Sequence, residues 1–241
     1  MPPLLLHTIV FIEGFCSLGA EIIALRRLLP HVGSSIVVTA PTIAFFLLAL
    51  ALGYASGARV ADGFRTAVAR NFLIAALLAG IGLSGLAVDA LFSALPTLLA
   101  YALFVGGILC PIAWLLGQTV PILTNLMQHR RTGEASGTAL YWSTLGSFLG
   151  SISLSLAVMQ WLGVSAAVVI CALGLLAGWL LLAGRRLPTL ALGATLAAAL
   201  VAPNLQHAVT ADTAYAEYRV AEVERTGLTA PRAFWVNKSL A

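Results

Sequence analysis

The chain has 241 residues, of which 60% are hydrophobic and only 9% are charged. Soluble domains carry about 25% charged residues, so this composition excludes an ordinary soluble fold, whose exterior needs more charge than the chain supplies. The net charge of +4 is spread over short loops, which is typical of a membrane topology signal and does not indicate nucleic-acid binding. The three cysteines lack metal-ligand spacing, so the sequence predicts no metal site, and no motif in it predicts a cofactor.

Seven apolar stretches are long enough to cross a bilayer, since a spanning helix needs about 20 apolar residues. They lie near 4–28, 35–57, 70–92, 97–127, 138–161, 164–184 and 187–203. The fourth is long enough to tilt or break, because Pro111 and Pro121 each remove a backbone donor. The seventh is short, and six spans are the alternative. We predict an all-α polytopic membrane domain over 1–203 and an extramembrane tail over 204–241.

Arginine placement predicts the orientation of this bundle. The loops on one side carry Arg59, Arg65, Arg70, Arg130, Arg131, Arg185 and Arg186. The opposite side has only Arg26 and Arg27. The positive-inside rule then places the N-terminus in the cytoplasm and the tail outside, in the periplasm if the membrane is the bacterial inner membrane.

The tail has the pattern of a β-hairpin over residues 214–238. Large or apolar residues roughly alternate over 215–223, a turn signal follows at Arg225–Gly227, and a second strand-like run covers 232–237. Two strands alone are marginally stable in water. We therefore expect the hairpin to pair with a protein partner or a second polypeptide.

Polar residues recur every four positions in the first span, at Glu13, Ser17 and Glu21, and so share one helix face. A carboxylate costs about 3 kcal/mol at the centre of a membrane helix, so it is rarely exposed to lipid. The face predicts a path for protons or cations, or an amine site. The alternative is a structural ion pair with an arginine of another helix, which we favour for Glu21. Arg26 lies about 140° around the helix from Glu21 and is not an obvious same-face partner.

A second polar group lies beside the proline at 121. Gln118, Thr119 and Asn125 flank Pro121, and backbone carbonyls freed by a broken helix can line a cavity. This arrangement predicts a binding site, with local repair of the proline break as the alternative. Together with Glu13, Ser17, Glu21 and Arg26, these residues form the candidate intramembrane site.

Small residues predict close helix contacts in two places. In the fifth span Gly146 and Gly150 accompany serines that recur every four residues from 143 to 155, which favours a packing seam over a polar substrate path. At the end of the second span and just after it, Gly53, Gly57 and Asp62 look like a loop motif of major-facilitator transporters. Structural bracing of the helix ends is the role that we predict for it.

These motifs resemble the membrane-embedded N-terminal region of the transmembrane spermidine synthase-like proteins, which are fused major-facilitator/spermidine synthase proteins. The resemblance covers nearly the whole membrane part, and its most specific segment starts at Tyr141. The segments are Gly14–Glu21 continuing to Arg26 and Gly33–Ser35, Phe46–Gly53 with Gly57–Asp62, Gly117–Pro121, and Tyr141–Gly150 followed by Leu162 and Gly163. The tail resembles the hairpin that precedes the aminopropyltransferase domain of that family.

The resemblance implies a catalytic domain after the hairpin, with a Rossmann-like fold and a decarboxylated S-adenosylmethionine-type cofactor. This sequence has no Gly-rich loop that follows a strand and precedes an acidic residue, so no catalytic residue carries over. Our first hypothesis is that the chain is a non-catalytic membrane domain or subunit that anchors or scaffolds a partner. The alternatives are half of a small-molecule transporter, for an amine or amino acid, and the membrane half of a split aminopropyltransferase-like enzyme.

Overall fold

The computed structural model describes residues 3–126, 132–184 and 187–205, together with the backbone of four short tail strands. Within these ranges seven helices are long and apolar enough to cross a membrane, which confirms a multi-pass membrane protein. A shorter eighth helix, α4, joins the third and fourth spans. The helices are α1 Pro3–Val32, α2 Ile36–Gly57, α3 Phe64–Gly82, α4 Gly85–Ala94, α5 Thr97–Leu126, α6 Gly133–Trp161, α7 Gly163–Ala183 and α8 Leu187–Leu205.

The third span departs from the predicted 70–92, because α3 begins at Phe64 and ends at Gly82. Arg65 and Arg70 had been assigned to the preceding loop, yet both lie in the first turns of α3 with exposed side chains. Long cationic side chains tolerate this position, since the charged end can stay in water. The chain then breaks at Ser84, whose hydroxyl accepts a hydrogen bond from the Ala87 amide at 3.3 Å and so starts α4.

The long fourth span is irregular at both predicted prolines. A π-helical turn covers Val105–Leu109, just before Pro111. Proline lacks an N–H and clashes with the carbonyl four residues earlier, and the wider π turn relieves both problems. A second irregularity at Gln118 separates the helical segments Cys110–Gly117 and Thr119–Leu126. The structure therefore breaks α5 close to the polar residues of the candidate site.

Helix α1 lies at the centre of the bundle and packs against α6 and α7. Helix α2 packs mainly on α5, α3 packs on α7, and α8 covers the outer side of α7. Fully buried aromatic side chains such as Phe46, Phe72 and Phe104 fill the interior. Large apolar residues such as Leu98 and Leu156 remain exposed on the outside, where a helix facing lipid needs them.

In the tail, only the backbone of four short strand segments is described. The strands are β1 Thr210–Asp212, β2 Glu217–Glu222, β3 Arg232–Val236 and β4 Ser239–Leu240. Residues 223–231, which include the predicted turn, and the side chains of all four strands lie outside the described residues. The packing of the hairpin predicted for 214–238, and its partner, therefore stay predictions.

The predicted orientation is testable with single cysteines. In intact spheroplasts, we expect Ser239→Cys to react with a membrane-impermeant thiol reagent, because an odd number of spans puts the tail opposite the cytoplasmic N-terminus. Ala61→Cys, in the loop after α2, is the matched control and should react only after lysis. The native thiols give little background, since Cys16 and Cys171 are buried and Cys110 lies within a span. Labelling of Ser239→Cys only after lysis would contradict the seven-span orientation.

Candidate functional site

Helices α1 and α6 approach each other through their backbones. A Cβ atom added at Gly146 would overlap the Phe11 carbonyl oxygen, and one added at Gly150 would lie 2.5 Å from the Phe15 carbonyl oxygen. The Ser147 hydroxyl donates to the Gly14 carbonyl oxygen at 3.1 Å. The small residues of the fifth span therefore pack on the same helix that carries the acidic face.

This close approach determines the surroundings of Glu13. The Ser143 hydroxyl donates to Glu13 Oε2 at 2.8 Å, and the Glu13 side chain is 1% exposed. No arginine of the described residues pairs with this carboxyl group. Two motifs that the sequence presents separately, the acidic face of α1 and the serine series of α6, thus meet at one hydrogen bond.

The other members of the acidic face are buried without such a partner. Ser17 is 5% exposed and Glu21 is 6% exposed. Neither makes a hydrogen bond or ion pair with any residue that the structure describes. The ion pair favoured for Glu21 on sequence grounds is therefore not seen in the described part of the chain. Arg26 is also buried and lies at the far end of α1 from Glu13.

Two cavities of about 270 Å³ each are lined by residues near opposite ends of α2 and α6, one together with α5 and the other together with α1. The first is lined by Tyr54, Asn125 and Ser136 among others, and the second by Arg26 and Ser155 among others. Ser143, the partner of Glu13, lies between Ser136 and Ser155 along α6. Glu13, Ser17 and Glu21 line neither cavity, but Glu13 bonds to α6 at a serine that lies between the two along that helix.

A separate group of buried amides surrounds the break in α5. The Asn71 side-chain amide donates to Gln118 Oε1 at 3.0 Å and to the Leu115 carbonyl oxygen at 3.4 Å. Asn71 Oδ1, Gln118 Nε2 and Thr119 Oγ1 are buried without a hydrogen-bond partner. Asn125 is not part of this group, since its amide donates to the Ala58 carbonyl oxygen at 3.3 Å and its side chain lines the first cavity. Sequence reasoning missed Asn71, although an amide inside an apolar stretch is a usable signal.

The glycines of the second span have a packing role. A Cβ at Gly53 would lie 2.5 Å from the Trp114 carbonyl oxygen, and one at Gly57 would lie 2.6 Å from that of Gln118. Asp62 is exposed and makes no hydrogen bond with the described residues, so the structure shows no bracing by this carboxylate. Tyr141 is 61% exposed and contacts Trp142 edge to face. Its side chain is therefore not part of the buried polar clusters around Glu13 and Gln118.

Comparison with known families, curated proteins and solved structures found no match for this chain. Within the described residues, no group of three or more His, Cys, Asp or Glu side chains is arranged to hold a metal ion. The function of the site must therefore be inferred from its own chemistry.

Proposed function

We propose that the chain binds a small cation, either a proton or a protonated amine, at the acidic face of α1 and moves it between the two sides of the membrane. The observation that carries this proposal is the position of Glu13. Its carboxyl group is buried beside α6 with a serine hydroxyl as its hydrogen-bond partner, and the cavities lined by Ser136 and Ser155 lie on either side of that serine along α6.

The energetics favour a cation at this position. A carboxylate costs about 3 kcal/mol at the centre of a membrane helix, and a hydrogen bond to a charged group returns about 1.5–3 kcal/mol. The Ser143 hydroxyl therefore offsets roughly half to all of the cost of Glu13, whereas no described residue offsets that of Glu21 in this way. A bound proton or ammonium group would neutralise either carboxylate.

The spacing of the two carboxylates suits stepwise transfer. Glu13 and Glu21 are eight residues apart, which is roughly 12 Å along a helix axis. Ser17 lies between them and offers a hydroxyl that both donates and accepts. A cation entering from the cavity beside Tyr54 would meet Glu13 first, and Glu21 lies closer to the cavity that contains Arg26.

The test is uptake by the purified chain in liposomes, with labelled spermidine and putrescine as amines and an internal dye for protons. We expect Glu13→Gln and Glu21→Gln each to lower uptake about tenfold, which corresponds to a loss of about 1.4 kcal/mol of stabilisation. Glutamine keeps the size of the side chain and can still accept the Ser143 hydrogen bond. Glu134→Gln, an exposed carboxyl at the start of α6, is the matched control and should retain uptake. Wild-type uptake in both buried variants would refute the proposal.

A second candidate function follows from the tail. The sequence predicts a β-hairpin over 214–238, after the last span, and unpaired strand edges invite pairing with another chain. We propose on this ground a non-catalytic membrane domain of a spermidine synthase-like protein that anchors a partner. The absence of uptake by the wild-type chain, together with a polypeptide that co-purifies with it in detergent and is lost when the tail is removed, would favour this role over transport.

A further inference from the structure

A groove of about 740 Å³ lies between the beginning of α3 and the end of α7, away from the acidic face. We call it the arginine groove, after Arg65 and Arg70, which line it together with Thr66, Leu73, Trp179 and Leu182. The two arginines are exposed, whereas Trp179 is 8% exposed. The groove therefore combines cationic side chains with apolar ones.

The charge of the groove is available to a ligand. Arg65 donates from Nε to the Leu182 carbonyl oxygen at 2.5 Å, which fixes this side chain against the end of α7. Neither terminal nitrogen of Arg65 bonds to a described residue, and Arg70 makes no hydrogen bond or ion pair with the described part of the chain. Among the described residues, no acidic side chain lines the groove.

The position of the groove across the membrane boundary indicates an amphipathic ligand. Helix α3 begins at Phe64 and α7 ends at Ala183, so Arg65 lies where both spans meet the water. Leu73 and Trp179 lie farther along these spans, toward the hydrocarbon. Tryptophan is enriched at the depth of lipid headgroups, and basic pockets between membrane helices bind anionic headgroups.

We propose that the arginine groove binds an anionic phospholipid, with its phosphate at Arg65 and Arg70 and its acyl chain along Leu73 and Trp179. A free phosphate ion would use the arginines but gain nothing from the apolar floor. The lipid accounts for both parts of the lining, and the bilayer supplies it at the depth at which the groove opens.

The test is native mass spectrometry of the full chain after addition of phosphatidylglycerol or phosphatidylcholine. We expect retention of phosphatidylglycerol over phosphatidylcholine, and about fivefold weaker retention in Arg70→Gln, since one arginine near a lipid surface contributes about 1 kcal/mol. Arg70 is chosen because, unlike Arg65, it has no structural hydrogen bond. Arg59→Gln, an exposed arginine of the loop outside the groove, is the control and should retain the lipid.

Three outcomes would overturn the proposal. Equal retention of the two lipids by the wild-type chain would show that the phosphate charge is not recognised. Equal loss in Arg59→Gln and Arg70→Gln would show a general effect of surface charge. Displacement of phosphatidylglycerol by millimolar inorganic phosphate would assign the arginines to a free anion.

Discussion

Gly146→Leu is expected to separate α1 from α6 and to destabilise the bundle by about 3 kcal/mol or more, the upper range for overpacking. The side chain would be driven into the Phe11 carbonyl group and the Phe15 amide. These are backbone atoms of the central helix, so they cannot turn away as a flexible side chain would. The loss is measured as the fraction of monodisperse protein in detergent after heating.

Gly137→Leu is the matched control for this substitution, in the same helix. Nothing lies within 4 Å of a Cβ added at Gly137, so we expect stability close to that of the wild-type chain. Helix propensity is changed equally in both variants, since each replaces glycine with leucine inside α6. Equal stability of the two variants would show that the α1–α6 contact does not hold the bundle together.

Arg27→Met is expected to cost about 3 kcal/mol, because it leaves buried acceptors without a donor. Arg27 is 8% exposed, and its Nε donates to the carbonyl oxygen of the fully buried Leu83 at 3.1 Å. A terminal nitrogen of the same side chain donates to the Ser165 hydroxyl at 2.9 Å. These bonds join α1 to the end of α3 and to α7. Methionine has a similar length and no donor.

The measurement for Arg27→Met is again thermal stability in detergent, with Arg59→Met as its control. Arg59 is exposed in the loop after α2, so its replacement should leave the midpoint nearly unchanged. A midpoint for Arg27→Met within one degree or so of the control would mean that water replaces the lost hydrogen bonds.

Much of the membrane architecture was predictable, because hydropathy is a local property of the sequence. The seven spans are confirmed, and the breaks in α5 lie beside the two prolines that predicted them. The third span was displaced because Arg65 and Arg70 were counted as loop residues. Charge marks the water boundary only approximately, since long side chains reach back to water from inside a helix.

The partners of the site residues were not predictable from the sequence. The four-residue spacing of the serines in α6 is visible in the sequence, but the helix that they face is not. Glu13 and Ser143 are 130 positions apart in the chain. Asn71 was missed because the predicted span began one residue before it. A polar side chain is ordinary at the end of a span, so Asn71 gave no sign of being buried. Asn125 lies close to Gln118 in the sequence, yet its amide bonds to Ala58, just after the end of α2, whereas Gln118 bonds to Asn71 of α3.

The depth of Glu13 gives the candidate site an electrical property. Glu13 lies nine residues inside the start of its span, which is roughly 14 Å along the helix and within the region where a transmembrane voltage falls. Moving one elementary charge across the full membrane takes about 2.3 kcal/mol per 100 mV. Under the proposed function, a cation that reached Glu13 would traverse part of this drop, so the occupancy of the carboxylate would depend on the voltage as well as on concentration. With the predicted orientation, a membrane that is negative inside would draw cations to the site from the outer face.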